Sequence, residues 1–148
     1  MKLSTKGRYG LRAVVELSAR QGDDPVSLAV IAAKMGVSEA YLEQLMRAMK
    51  GAGLLITARG KAGGYRLAMP AEDISVGAVL RALEGSTAIA DCVDGGGSVC
   101  ENACTCAARP LFLTLQTRID AVLNETTIAD LRSDYLMQKE RMNDARLS

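Results

Sequence analysis

Residues 26–50 read VSLAVIAAKMGVSEAYLEQLMRAMK, a pattern typical of two short helices joined by a tight turn. Gly36 lies where the chain must turn, and glycine takes a positive φ there without strain. Ser38 follows as a good N-cap for the second helix. One face of the first helix is apolar and consists of Leu28, Ile31 and Ala32.

The second helix of this stretch has one apolar and one polar face. Apolar residues recur at the i, i+3, i+4, i+7 spacing of a buried face, namely Leu42, Leu45, Met46 and Met49. The opposite face can contact phosphates or base edges and consists of Glu39, Glu43, Gln44, Arg47 and Lys50. Such a helix can enter the major groove of DNA as the second helix of a helix-turn-helix. An ordinary helical hairpin with a solvated face is the alternative.

A glycine-rich basic loop follows the two helices. Residues 54–57 and 65–67 are predicted to be short strands, and the loop between them reads ARGKAGG. We predict a wing, whose glycines let the backbone approach a groove wall. Arg59 is long enough to reach into a minor groove, and Lys61 adds charge. A nucleotide-binding phosphate loop is the weaker interpretation, because the sequence lacks G-x-x-x-x-G-K-S/T.

Four further helices are predicted outside this unit. The first spans residues 5–20, with basic residues near its start that are phosphate contacts or solvated surface charges: Lys2, Lys6, Arg8 and Arg12. Another runs from a cap at Ser75 to Glu84. A long helix begins near Pro110, and a last one begins at Thr127 and frays from about Asn143.

The long helix near residues 110–125 is apolar over more than a narrow stripe. It either closes the core of its own chain or packs on a second copy. We favour a two-fold homodimer, because winged DNA-binding proteins commonly bind paired half-sites about 34 Å apart.

Charge and composition favour a DNA-binding protein over an enzyme. The net charge is +6 over residues 1–70 and −5 over residues 71–148, so the N-terminal half is suited to a polyanion. The chain has no histidine, which excludes Ser–His and Cys–His nucleophile pairs and His-ligated zinc. No apolar run approaches the length of a membrane span, and we predict a cytoplasmic protein with no membrane partner.

All four cysteines lie in one glycine-containing loop and are Cys92, Cys100, Cys104 and Cys106. Thiolates at this density in a cytoplasmic chain favour an iron–sulfur cluster, zinc or copper(I) over a disulfide framework. The spacing does not decide among these metals. A metal-free loop or a thiol switch is the alternative.

The assembled motifs resemble the Rrf-two family of bacterial winged-helix transcription regulators over about residues 1–131. The resemblance rests on residues 1–9, 36–38 with 41–45, 59–60 with 63–65, 83–85 and 127–131. It implies a mainly α chain: a winged helix-turn-helix with a two-stranded wing over residues 1–85, a cysteine-containing sensor loop over 86–107, and a dimerisation helix plus C-terminal helix over 108–148.

The resemblance implies a homodimer on double-stranded DNA, bound at an operator with two half-sites. By family analogy, Glu43 and Gln44 contact bases in the major groove and Arg59 enters the minor groove. The full set of predicted DNA contacts is Lys2, Lys6, Arg8, Ser38, Glu39, Tyr41, Glu43, Gln44, Arg47, Arg59, Gly60, Lys61, Gly63, Gly64 and Tyr65.

Cluster-binding members of this family hold the cluster with three cysteines in the matching loop. The resemblance therefore implies that Cys92, Cys100 and Cys106 bind a cluster, which we predict to be 2Fe–2S. In the family's iron–sulfur cluster regulator, a histidine just past the third cysteine completes the site, and this chain has Arg109 in that place. The fourth ligand is therefore Cys104, Glu101 or a residue from elsewhere.

We therefore predict a sequence-specific transcriptional repressor whose DNA affinity depends on the iron–sulfur cluster. One alternative is a cluster-free regulator that responds through cysteine oxidation or a protein partner. The other, of a different class, is an electron carrier or cluster scaffold.

Overall fold

The computed structural model of the chain describes residues 2–20, 24–61, 63–95 and 100–148. Six α-helices lie in these ranges: α1 Thr5–Ser18, α2 Leu28–Met35, α3 Glu39–Gly51, α4 Val76–Glu84, α5 Arg109–Glu125 and α6 Ile128–Leu147. Two strands, β1 Leu55–Ala58 and β2 Gly64–Leu67, form an antiparallel pair. The predicted mainly α winged helix-turn-helix is confirmed. The predicted turn at 21–25 and the glycine run at 95–97 lie partly outside the described residues.

Several predicted boundaries were wrong by a few residues. α1 ends at Ser18, two residues early, and each strand includes one residue that the pattern did not predict. The prediction that the last helix frays from about Asn143 was also wrong, because α6 remains helical to Leu147. Its last turns contain Met, Arg, Ala and Leu, which favour helix, and the Ser148 N–H still donates to the Asp144 carbonyl at 3.3 Å.

Hydroxyl side chains begin five of the six described helices. Each accepts a hydrogen bond from a backbone N–H in the first turn, and the caps are Ser4, Ser27, Ser38, Ser75 and Thr127. Thr127, where the sequence predicts the start of the last helix, forms a reciprocal capping box with Asp130. α5 instead has a proline in its first turn. The sequence therefore determined where most helices begin.

One hydrophobic cluster holds the helices and β1 together. Its fully buried side chains come from five helices, β1 and the segment before α4, and include Val14, Ile31, Leu42, Met46, Met49, Leu55, Ile74, Val79 and Ile128. Because Ile128 is the first residue of α6, the start of the C-terminal helix packs in the same core as the winged helix-turn-helix. No helix in the described ranges is long and apolar enough to cross a bilayer.

Candidate DNA-binding surface and cysteine loop

The two faces of α3 have the burial that the sequence predicted. Leu42, Met46 and Met49 are fully buried, and Leu45 is nearly so. The polar side lies outward: Gln44 is exposed and Glu43 is half-buried. Gly36 takes φ 67°, and the Ser38 hydroxyl accepts from the Tyr41 N–H at 3.2 Å. Turn and cap thus present the polar face of α3 to solvent.

Two hydrogen bonds organise this polar face. Arg47 donates to the Glu43 carboxylate at 2.8 Å, one helical turn away. Lys50 Nζ donates to Thr57 Oγ1 on β1 at 3.0 Å. The second bond fastens the end of α3 to the wing, so the two predicted DNA-binding elements form one continuous surface.

The base of the wing is held by a third extended segment at Val26. Tyr65 and Val26 exchange two backbone hydrogen bonds, both 2.9 Å long. A Cβ on Gly64 would overlap the backbone of Val26, and one on Gly63 would lie 2.8 Å from the carbonyl oxygens of Ala58 and Gly60. Gly63 and Gly64 are therefore required by packing inside the chain, a reason that the sequence analysis missed when it assigned the glycines to groove approach alone. Gly60, at φ 108°, lies in open space near the tip.

Tyrosines connect α3 to its neighbours. The rings of Tyr9 and Tyr41 meet edge to face at 6.1 Å, which places α1 beside α3. The Tyr41 hydroxyl is buried and has no partner among the described residues. Burial, reinforced by the nearby Glu43 carboxylate, raises the pKa of Tyr65. Both predicted tyrosine contacts thus pack within the fold, and both residues are half-buried.

The remaining predicted DNA contacts are solvent-exposed. They lie before α1, within it, at the start and on the outer face of α3, and at the wing tip: Lys2, Lys6, Arg8, Ser38, Glu39, Arg47, Arg59, Gly60 and Lys61. Arg12, also exposed, lies 5.5 Å from the centroid of the Tyr9 ring.

The four thiols occupy different environments, and all are free. Cys92 lies in a short 3₁₀ helix, Asp91–Val93, and is half-buried, as is Cys106. Cys100 and Cys104 are exposed. Within the described ranges, no three Cys, Asp or Glu side chains are grouped closely enough to hold a metal. The predicted ligands, including Glu101, are therefore not brought together in this conformation.

A buried glutamine joins the beginning of this loop to α5. Gln116 accepts from the Ile89 N–H at 2.8 Å and donates to Asp120 Oδ1 at 2.9 Å and to the Thr87 carbonyl at 3.5 Å. It is the single buried residue of α5. Sequence reasoning missed Gln116, although a lone amide within an apolar helical stripe was a signal.

Several apolar side chains along α5, here called the α5 stripe, are exposed to solvent in the single chain. Leu111, Leu115 and Val122 are 58%, 41% and 63% exposed. Of the two predicted roles for this helix, closing the core of its own chain is thus excluded for these side chains. An exposed apolar surface of this kind marks an interaction site.

Comparison with known proteins identifies the family. The family model Rrf2, described as an iron-dependent transcriptional regulator, matches residues 3–134. The chain belongs to the Rrf2 family. An HTH-type transcriptional regulator from Haemophilus influenzae is 36% identical, covering 97% of this chain and 95% of the relative. The IscR regulator of Vibrio atlanticus is 38% identical over 90% of this chain and 76% of its own.

Solved structures of Rrf2 regulators share the fold. CymR, the global cysteine regulator of B. subtilis, has a TM-score of 0.76 at 38% identity, covering 90% of this chain and 97% of CymR. IscR of T. potens has a TM-score of 0.73 at 37% identity, covering 91% and 88%. This Rrf2 chain is therefore a DNA-binding transcriptional regulator and not an enzyme, as predicted. The sequence identity of this chain to CymR, 38%, is nearly the same as its identity to IscR, 37%.

Proposed function

We propose that this Rrf2 regulator binds, as a homodimer, an operator with two half-sites in the bacterial cytoplasm and represses transcription there. In each protomer α3 occupies the major groove and the wing the adjacent minor groove. The observation that supports this most directly is the outward polar face of α3, fastened to β1 by the Lys50–Thr57 hydrogen bond. Helix and wing then approach one duplex together.

The exposed stripe on α5 is the surface that we assign to the dimer. Leu111 and Val122 lie at opposite ends of it, so the stripe extends along most of the helix. A self-complementary contact between two such helices removes these side chains from water. It also fixes the distance between the two copies of α3.

The donor set of the loop fits an iron–sulfur cluster, because soft thiolates are its usual ligands. We propose Cys92, Cys100 and Cys106 as ligands of a 2Fe–2S cluster, with Cys104 or Glu101 as the fourth. When bound, the cluster supplies a redox-active centre. Residues 100–106 must approach Cys92 to form the site. Because Gln116 fastens residues 87 and 89 to α5, a shift at Cys92 is transmitted to the dimer helix.

The cluster is tested by purifying the full chain without oxygen and measuring iron, sulfide and visible absorption. We expect iron and a visible chromophore in the native protein, and their loss in Cys92→Ser. Cys104→Ser is the matched variant: retention of iron assigns the fourth position to Glu101 or another residue, and loss assigns it to Cys104. A colourless protein that cannot be reconstituted contradicts the cluster proposal and leaves DNA binding intact.

A cluster-free regulator is the second candidate. The exposed thiols of Cys100 and Cys104 favour it, since accessible thiols are the ones that oxidants reach. It predicts that hydrogen peroxide changes the DNA affinity of metal-free protein and that Cys100→Ser abolishes the change. A requirement for a second protein, with no response to peroxide, would instead indicate control by a protein partner.

A further inference from the structure

A cavity of about 750 Å³ lies between the end of α1, β2 and α6, away from the polar face of α3 and the cysteine loop. Its volume is within the range of small-molecule sites. Leu17, Met69 and Leu136 contribute apolar walls, and three arginines from three separate parts of the chain also line it: Arg20, Arg66 and Arg132.

Arg20 lacks a full set of partners. Its guanidinium lies 3.5 Å from Glu16 Oε1, but that carboxylate already contacts Lys34 Nζ at 2.6 Å and the Tyr135 hydroxyl at 2.7 Å. Arg20 Nε is buried and has no hydrogen-bond partner in the described part of the chain. A buried N–H donor without a partner indicates a missing acceptor.

The other two arginines are also available to a ligand. Arg66 forms no ion pair with any described residue, and Arg132 reaches the largely exposed Glu72 at a long 3.5 Å. Exposed pairs at this distance are weak and exchange readily for a better acceptor. Asp24 and Glu72 are the acidic residues lining the cavity, so its charged side chains sum to +1.

We propose that this cavity binds a small organic anion. One carboxylate or phosphate group accepts hydrogen bonds from the guanidinium groups, whose forked donors match such oxyanions. The apolar part of the ligand packs against Leu17, Met69 and Leu136. Because Arg20 lies just after α1, Arg66 in β2 and Arg132 in α6, a bound anion links the wing to the C-terminal helix.

Isothermal titration calorimetry on the full chain tests the site with defined probes. The probes are phenylacetate, phenyl phosphate and the neutral 2-phenylethanol, each titrated at low and high salt. We expect one saturable site per chain for at least one of the two anions, affinity that falls with added salt, and no saturable binding of the alcohol. If neither anion saturates, or if the alcohol binds as tightly as the anions, the proposal is overturned.

Arg66→Gln and Arg132→Gln are each expected to weaken anion binding at least tenfold. Arg141→Gln, on the same helix as Arg132 but outside the cavity, is the matched control and should bind like the wild type. Melting temperatures establish that each variant folds. If one of the two cavity variants does not fold, the other still tests the proposal. Wild-type affinity in the folded cavity variants contradicts the proposal. The measurement contains no DNA, so its failure does not bear on the proposed regulatory function.

Discussion

Gln44 on α3 is a residue that we propose contacts a base. It is exposed and forms no side-chain hydrogen bond with another described residue, whereas the neighbouring Glu43 is engaged by Arg47 at 2.8 Å. We predict that Gln44→Ala weakens operator binding by about 1–3 kcal/mol, roughly 5- to 150-fold. Fluorescence anisotropy with the operator measures it, and Gln138→Ala on α6 is the matched amide control. Equal loss in both variants would contradict a base contact.

Gly64 provides a test of the wing's internal packing. A methyl group there overlaps the Val26 backbone, which is fixed by its two hydrogen bonds to Tyr65. Gly64→Ala should destabilise the fold by about 1–3 kcal/mol. Gly51→Ala is the control, because a Cβ there meets nothing within 4 Å. Urea unfolding compares the two, and a Gly64 variant as stable as the Gly51 variant would refute the packing argument.

Sequence predicts residues whose roles are local. Gly36 and Ser38 were assigned correctly because a turn and a cap depend on neighbours within a few positions. Gln116 could not be assigned, since its hydrogen bonds to Ile89 and Thr87 join positions 27 and 29 residues away. Long-range backbone partners leave no pattern in the sequence beyond an unexpected polar residue.

At the scale of elements, one ion-pair network fastens α6 to α1 and α2. Burial tends to raise the pKa of the Glu16 carboxyl, but hydrogen bonds from Lys34 and Tyr135 outweigh it and the pKa lies below its usual 4.5. A lowered pKa in the folded state means that this stabilisation is present above the unfolded value and is lost as pH falls through the folded value.

Glu16→Gln should therefore remove stability at neutral pH, by about 1–3 kcal/mol, because Lys34 and Tyr135 lose a charged acceptor. It should also flatten the decline in stability below pH 4.5. Thermal unfolding across pH 3–7 measures both effects. The exposed Glu140→Gln on the same helix as Tyr135 is the control. An unchanged acid limb in Glu16→Gln would show that the network contributes nothing.

Elements were predicted as far as their patterns are local. α3 and the strands of the wing follow from apolar periodicity and glycine spacing over a few residues. The return of α6 onto α1 was not predicted, because Tyr135 and Glu16 are 119 residues apart. The continuation of α6 to Leu147 was missed for a different reason: helix propensity alone maintains those exposed turns.

For the whole molecule, the proposed homodimer depends on the exposed apolar stripe of α5. Val122→Asp places a charge on the most exposed part of the α5 stripe and should convert the dimer to monomer, because burying an unpaired carboxylate is costly. Sedimentation velocity reads out the mass. Leu147→Asp, at a position 88% exposed at the end of α6, is the control and should remain dimeric. A Val122 variant that remains dimeric would contradict pairing through α5.

At the same scale, the charge asymmetry and the cysteine loop were predicted unequally well. Net charge needs no structure, and the exposed basic side chains of the N-terminal half agree with it. The geometry of the thiols could not be predicted, since a glycine-containing loop between Cys92 and Cys100 permits many arrangements.

The proposed DNA-binding mode is tested most directly by hydroxyl-radical footprinting of the full chain on an operator selected from genomic DNA. Paired copies of α3 predict two protected segments about 34 Å apart on one side of the duplex. Val122→Asp should remove this paired pattern at the same protein concentration. A single protected block, or two blocks on opposite sides of the duplex, would contradict the account.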